Sequence, residues 1–472
     1  AVAARDRAAH ETQIADAINT FLTDDLLGRS NPFASGKTSE SFIDAITQAS
    51  PGIDRMFRNE PLIAARLHQA IARALDARTD YGDARVEYER SAALFRQAQG
   101  PVSQDAMVVE FQRATLEARS YEKDTLPLAR SIVQQQDALM ATLRQPRPDL
   151  AVWDASARGM VALITNDAPG ATADFRKAVD LAGALPEFDP TARLTFQQRL
   201  AFCYVRLGDG RQAEKLFRHL IAAFTAAAGP DSANVLRVRL NLAQAYMIEK
   251  KYAEAIHETS AIYPLFVARL GPDHELTLQL LATRAESEGS LGLWNDAVRD
   301  DLTVYRLAVQ KQGLSSFFAI ATLSDAALAQ CRGGDFLQGS VNAQRAYDVS
   351  ARAFGAQAGL TGGAAYTVAS CLIGLGRLQK ASLFLKQIDV PVVVQLTGDP
   401  DFGADVTLAN AQIASREGDQ RTARSAMDQV RAVFTRADAE PFQKRAFDTL
   451  RAALDAPQTP PAGQRLPAAT PR

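Results

Sequence analysis

Five histidines and three cysteines are the side chains in this sequence that could do metal, redox or acid–base chemistry at short range, and their spacing argues against each use. His10, His68, His219, His257 and His274 are scattered singly along the chain. A zinc hydrolase needs two histidines one helical turn apart beside a glutamate, so that both imidazoles reach one ion. No such pair occurs, and surface or helix-packing roles are expected, with His274 supporting a helix start. Cys203, Cys331 and Cys371 contain no Cys-x-x-Cys, the spacing that builds a zinc site or a redox dithiol. They are expected to be buried small hydrophobes rather than a disulfide framework. Phosphate-cradling and nucleophile-elbow patterns are absent, and Gly333-Gly334 and Gly362-Gly363 read as turn glycines. The expectation is a chain that is not an enzyme, needs no cofactor or metal, and acts by recognition.

Charge narrows the partners. The formal net charge is −2, and no basic stripe marks a nucleic-acid surface or an anionic membrane face. Hydrophobic residues make up 47% and charged ones 22%, enough apolar material for a continuous core. No apolar run approaches the roughly 18 residues that span a bilayer.

The elements that must position any recognition surface are set by an internal period. The stretches LAFCYVRLGDGRQAEKLF from Leu200 and LAQAYMIEKKYAEAIHET from Leu242 share one pattern 42 residues apart. Stepping by 42 from Ala201 gives first small positions at Gly159, Ala201, Ala243, Ala285, Ala327, Ala369 and Ala411. Glu117 takes that place in an earlier unit, and a 45-residue step reaches Ala72. Twelve residues beyond each stands Ala84, Ala129, Ala171, Ala213, Ala255, Ala297, Gly339, Ala381 or Ala423. Two antiparallel helices whose axes approach to about 8–10 Å need little side chain where they touch. Each unit therefore reads as helix, tight turn, helix. Residues 1–60 are expected to form an N-terminal helix, a loop and short helices, and 61–437 nine repeats. Residues 438–455 read as a capping helix, and 456–472 as a disordered Pro-rich tail.

The set Ala201, Tyr204, Gly208, Ala213 and Phe217 resembles the tetratricopeptide repeat (TPR) signature. The 42-residue length, with GPDS from Gly229 and GPDH from Gly271, is similar to the long repeat of the kinesin light chain. The resemblance implies an all-α, right-handed solenoid of about nine helix-turn-helix repeats. It also implies that the first helices line a concave groove, carrying Gln198, Arg199, Phe202, Arg206, Arg237, Asn241, Gln244, Gln279, Thr283 and Glu286. Amides, arginines and an aromatic at these places suit an extended peptide or a protein segment. Trp153 and Tyr366 are secondary groove candidates, and Trp294 reads as structural.

The segment FLTDDLLGRSNPFASGKTSESFIDAI, from Phe21, and its continuation into the first repeat resemble a region of bacterial membrane-bound regulators. These are Ser/Thr kinases or winged-helix transcription factors with an extracytoplasmic TPR part. The resemblance implies a periplasmic sensor on the inner membrane, attached through a segment upstream of Ala1. The other reading is a soluble cytoplasmic scaffold for complex assembly.

Overall fold

A computed structural model of the protein describes residues 50–77, 80–120 and 124–456. The expected N-terminal helix and Pro-rich tail lie outside the described residues, apart from the junctions at 50–60 and Ala456.

Among the described residues the regular structure is helical. A short helix at 50–56 precedes α1 (Pro61–Ala77), α2 (Tyr81–Gln99), α3 (Gln104–Arg119), α4 (Thr125–Met140), α5 (Pro148–Ile164), α6 (Ala168–Gly183) and α7 (Pro190–Arg206). Then follow α8 (Gly210–Ala228), α9 (Ala233–Ile248), α10 (Tyr252–Leu270), α11 (Glu275–Leu291), α12 (Trp294–Gln312), α13 (Phe317–Arg332) and α14 (Phe336–Phe354). The last are α15 (Gly359–Gly374), α16 (Leu378–Leu385), α17 (Val390–Thr397), α18 (Phe402–Arg416), α19 (Gln420–Phe434) and α20 (Pro441–Asp455). They form a TPR-like helical solenoid, which divides into two compact units at Leu216/Phe217, inside α8.

The small-residue register holds at every pair. All nine first positions and all nine second positions are buried, each first one on the leading helix and each second one on the following helix. At Gly159 a Cβ would lie 3.1 Å from the Phe175 ring, so glycine is the residue that lets α5 and α6 meet. Glu117 fits at its position as a buried carboxylate, gripped by the Arg85 guanidinium at 2.7 and 2.9 Å.

The helix ends follow the same ruler. Asp124, Asn166, Gly208, Lys250, Gly292, Gly334, Gly376 and Gly418 stand 42 residues apart and all have positive φ. Each sits in the turn between the helices of a pair, where glycine adopts the left-handed conformation at least cost. Between pairs, Gly229, Gly271, Gly313 and Gly355 close a helix with positive φ, and three residues later comes the N-cap of the next helix. Ser232 and Ser316 there accept the backbone N–H three residues on, and His274 Nδ1 accepts that of Leu276.

Two expectations are corrected. Gly362 and Gly363 are helical, inside α15, and not turn residues. The eighth unit explains why: its second helix stops after eight residues, and α17 restarts behind the Asp389 cap with Pro391 in its first turn. A Cβ on Gly362 would come within 2.6 Å of Val393 Cγ2, so the glycine makes room for α17.

The second correction concerns cysteine. Cys203 is buried and free, but Cys331 on α13 and Cys371 on α15 form a disulfide, with their Cα atoms 5.3 Å apart. Cys331 lies one helical turn beyond Ala327, while Cys371 lies two residues beyond Ala369. Facing sides of neighbouring first helices are thereby brought together, which a linear count of spacings does not show. The bond also accounts for the one glycine among the second small positions. A Cβ on Gly339 would sit 2.3 Å from Cys331 Sγ and 2.9 Å from the Ala327 carbonyl oxygen.

Gly339→Ala is therefore expected to destabilise the chain by about 1–3 kcal/mol, with part of that cost relieved in a Cys331→Ala background. Urea denaturation of the four chains in that double-mutant cycle measures it. Strict additivity would show that Sγ is not the obstacle.

Candidate functional site: an acidic chamber closed by the C-terminal helix

In the second compact unit the C-terminal helix does more than cap the last repeat. Phe447, Leu450 and Leu454, at helical spacing on one face of α20, are buried against α18 and α19. That anchorage fixes the helix and leaves its first turn to reach across the inner side of earlier repeats. Glu440 accepts from Lys250 Nζ at 2.6 Å and from the Tyr252 hydroxyl at 2.6 and 2.8 Å. Phe442 meets Trp294 edge-on at 6.4 Å and carries the Arg332 guanidinium 3.9 Å above its ring centre. Gln443 donates to both oxygens of Asp405 at 2.9 and 3.0 Å.

Lys250 is the odd member of the turn series. A lysine at φ 57 strains the backbone by roughly 1–2 kcal/mol, where other units have glycine, aspartate or asparagine. Its ammonium is what holds Glu440 in place.

Beneath this strap is a cavity of about 710 Å³. Its walls are α11, α13, α15 and α18, the first helices of four units, with α12, α17 and the 436–443 segment closing it. Ala282, Ala321, Gly363 and Ala364 keep the walls thin, so the space is open. Eight carboxylates line it against three cations, Lys250, Arg332 and Arg436. Those cations are engaged, Lys250 with Glu440, Arg436 with Asp401 and Arg332 on Phe442.

Three carboxylates are not engaged. Among the described residues Glu286 on α11, Asp301 on α12 and Asp325 on α13 have no hydrogen-bond or ion-pair partner. Glu286 and Asp325 open onto the chamber's interior while protein surrounds them, and Asp301 is only 6% exposed. Removal from bulk water raises all three pKa values, Glu286 to about 7 and Asp325 to about 6. Asp301 is pushed well above the usual range by burial, then by Asp325, Asp300, Glu286 and Glu288. Asp405 is raised to about 6, chiefly by burial.

Of the ten groove residues expected from sequence, Glu286 lines this chamber and the other nine do not. In the first unit Gln198 and Phe202 are half-buried on α7. Arg199 donates to Ser156 Oγ at 3.2 Å and lies over the Phe175 ring, while exposed Arg206 donates to Asn166. In the second unit Arg237 is exposed and donates to Asn234 at 3.1 Å; Gln279 is exposed, and Asn241 and Gln244 are half-buried. Thr283 is buried, its hydroxyl donating to the Gln279 carbonyl at 2.9 Å, so it has no group to offer a ligand. Trp153 packs against Phe188 and Phe196. Tyr366 and Trp294 both face the chamber. Asp301 and Asp325 escaped sequence reading, although the 42-residue ruler carries one signal. Asp301 stands where other units carry Tyr88, Phe175, Phe217, Leu385 or Met427, an acid at a place otherwise without charge.

Comparison with known proteins places the fold. Residues 191–258 match the tetratricopeptide repeat family model. No curated protein sequence matches the chain. Among solved structures, the apo form of RapI has a TM-score of 0.58 at 9% identity, covering 82% of this chain and 98% of its own. The apo quorum sensor NprR from B. thuringiensis has a TM-score of 0.54 at 13% identity, covering 76% of this chain and 99% of its own. A Rap protein complexed with competence and sporulation factor has a TM-score of 0.54 at 10% identity, covering 81% and 99%. At these identities the likeness concerns fold alone. The family model matches units four and five, and the same helix pairing through buried first and second positions runs through all nine, so the chain as a whole is a TPR-like helical solenoid.

Proposed function

We propose that this TPR module binds a peptide or protein segment and serves as the extracytoplasmic sensor region of a bacterial membrane-bound signalling or transcription regulator. The observation that carries the binding role is the strapped chamber. Its volume lies within the range of small-ligand pockets, its walls are first helices, and it holds ionisable groups that do nothing for the fold. The neighbours support it in kind: NprR is a quorum sensor, and a Rap protein was solved with competence and sporulation factor. A solenoid of this type can hold a signalling molecule, and no group in the chamber argues for turnover of one.

The Cys331–Cys371 bond supports the extracytoplasmic part of the reading, since such bonds persist in oxidising compartments and are rare where glutathione keeps thiols reduced. No helix of the described residues is long and apolar enough to cross a membrane, so a membrane link would belong elsewhere in the protein.

Three measurements test this. The full-length protein is expressed in its own cells, and its thiols are trapped there with a maleimide-polymer. Cys203 alone is expected to react after denaturation; three reacting thiols would favour the cytoplasmic scaffold. Ala321→Trp should fill the chamber and abolish binding of peptides selected against the natural chain, with the helical circular-dichroism signal unchanged. Unimpaired binding would remove the chamber from the function.

The third measurement is pH-dependent stability without ligand. Glu286, Asp325 and Asp405 have folded pKa values above their unfolded ones, so the folded chain holds more protons between about pH 4 and 7. Stability should therefore fall as pH rises through that window. The unfolding midpoint is expected to be lower at about pH 8 than at about pH 5.5, and the slope to flatten in a Glu286→Gln, Asp325→Asn chain. A midpoint that rises with pH would contradict the assignment.

A further inference from the structure

Among the described residues most buried acids outside the chamber are paired, Glu288 being the looser case at 3.9 Å from Arg284. Glu117 has Arg85, Glu87 has His68 at 2.5 Å, Glu110 has Arg96 and Arg113, and Asp300 has Arg284 at 2.6 Å. Asp301, next in the chain to Asp300 and 6% exposed, lines the chamber and has no such partner among the described residues. The charges that act on it most are Asp325, Asp300, Glu286 and Glu288, all acidic, while the nearby Arg284 and Arg299 are paired with Asp300. A carboxylate buried among carboxylates gains nothing for folding, and a neutral residue of the same size would be more stable there. The missing element is a positive charge.

The chamber walls supply the rest of a cation site. Tyr252, Trp294, Phe317, Tyr366 and Phe442 present aromatic rings to the space. One of them already holds a guanidinium: Arg332 lies 3.9 Å above the Phe442 ring. The wall is thus chemically suited to stacking a planar cation, as aromatic faces are. Lys250 and Arg436 are taken up by Glu440 and Asp401; Arg332 lies on Phe442 and acts on Asp325, and no cation pairs with Asp301.

We propose that the chamber accepts an ammonium or guanidinium group of a peptide, seated between Asp301, Glu286 and Asp325 and flanked by the aromatic wall. This deepens the binding role given above and rests on it. Ionised carboxylates bind such a group by charge-assisted hydrogen bonds, paired ones for guanidinium, so arginine should be preferred over lysine. Neutral side chains of the same shape should be rejected, because they leave the buried acid unpaired.

The probe is a blocked pentapeptide library, fixed at its centre as arginine, lysine, citrulline, norleucine or glutamate, and read by fluorescence polarisation against the whole chain. Free spermidine is run beside it. The arginine pool is expected to bind at least about tenfold more tightly than citrulline, and Asp301→Asn to remove that preference. Glu286→Gln, on a side chain open to the chamber, gives a second variant should Asp301→Asn perturb folding. Arginine and citrulline pools bound equally, or an arginine preference intact in both variants, would overturn the cation site while leaving peptide binding in place. Peptides bound nowhere, with Ala321→Trp indistinguishable from the natural chain, would overturn the binding role itself. Spermidine bound in an Asp301-dependent way without any peptide would keep the cation site and overturn the peptide as its source.

Discussion

Everything in this protein depends on how closely two helices can approach. At eight of the nine pairs a small residue on one helix meets a small residue on the next, and in the second pair Glu117 takes the first place. The large residues, Phe175, Phe217, Phe266 and Phe434 among them, fill the space to either side and are fully buried. Because pairing is done by those two positions, the inner faces of the first helices are released from packing duty. They can carry alanine and glycine, as at Ala282, Ala321 and Gly363, and so leave a cavity, or carry acids, as at Glu286 and Asp325. A globular core of the same size would have had to fill that space. In a solenoid, neighbours are held edge to edge and the concave side is left to function.

The same constraint decides what could be read from sequence. The register, the turn positions and the helix boundaries are local quantities, tied to a 42-residue period, and the glycines at 229, 271, 313 and 355 announce them directly. The chamber is not local. Its closure depends on Lys250 and Tyr252 meeting Glu440, contacts between residues 188 to 190 positions apart. Nothing in the period links the fifth turn with the final helix. The disulfide was hidden for a related reason: Cys331 and Cys371 occupy different offsets in their repeats and meet only because neighbouring first helices lie side by side. Expected groove positions were placed by analogy with other repeats. The feature that differs here, a helix folded back over the inner face, moved the enclosed space towards the later units.

The first and second units also treat charge differently. In the first, Arg85, Arg96 and Arg113 or His68 close on the deeply buried glutamates among the described residues, and the Arg85 grip on Glu117 makes a carboxylate acceptable at a position that otherwise demands a small residue. In the second, the chamber retains unneutralised acids and a lysine in a strained turn. Such departures from local consistency concentrate where a protein gives up stability for a task. The aromatic strap residue Phe442, held between Trp294 and Arg332, belongs to the same exception.

The bond between Cys331 and Cys371 has a mechanical consequence. Repeats stacked side by side yield one after another when a chain is drawn from its ends, each releasing its own length. The 40-residue span between the two sulfurs cannot be released while the bond stands. At about 3.5 Å per residue, roughly 140 Å of contour remains locked in the seventh and eighth repeats. Under load, that stretch behaves as a fixed clip in an otherwise extensible spring, and it borders the chamber.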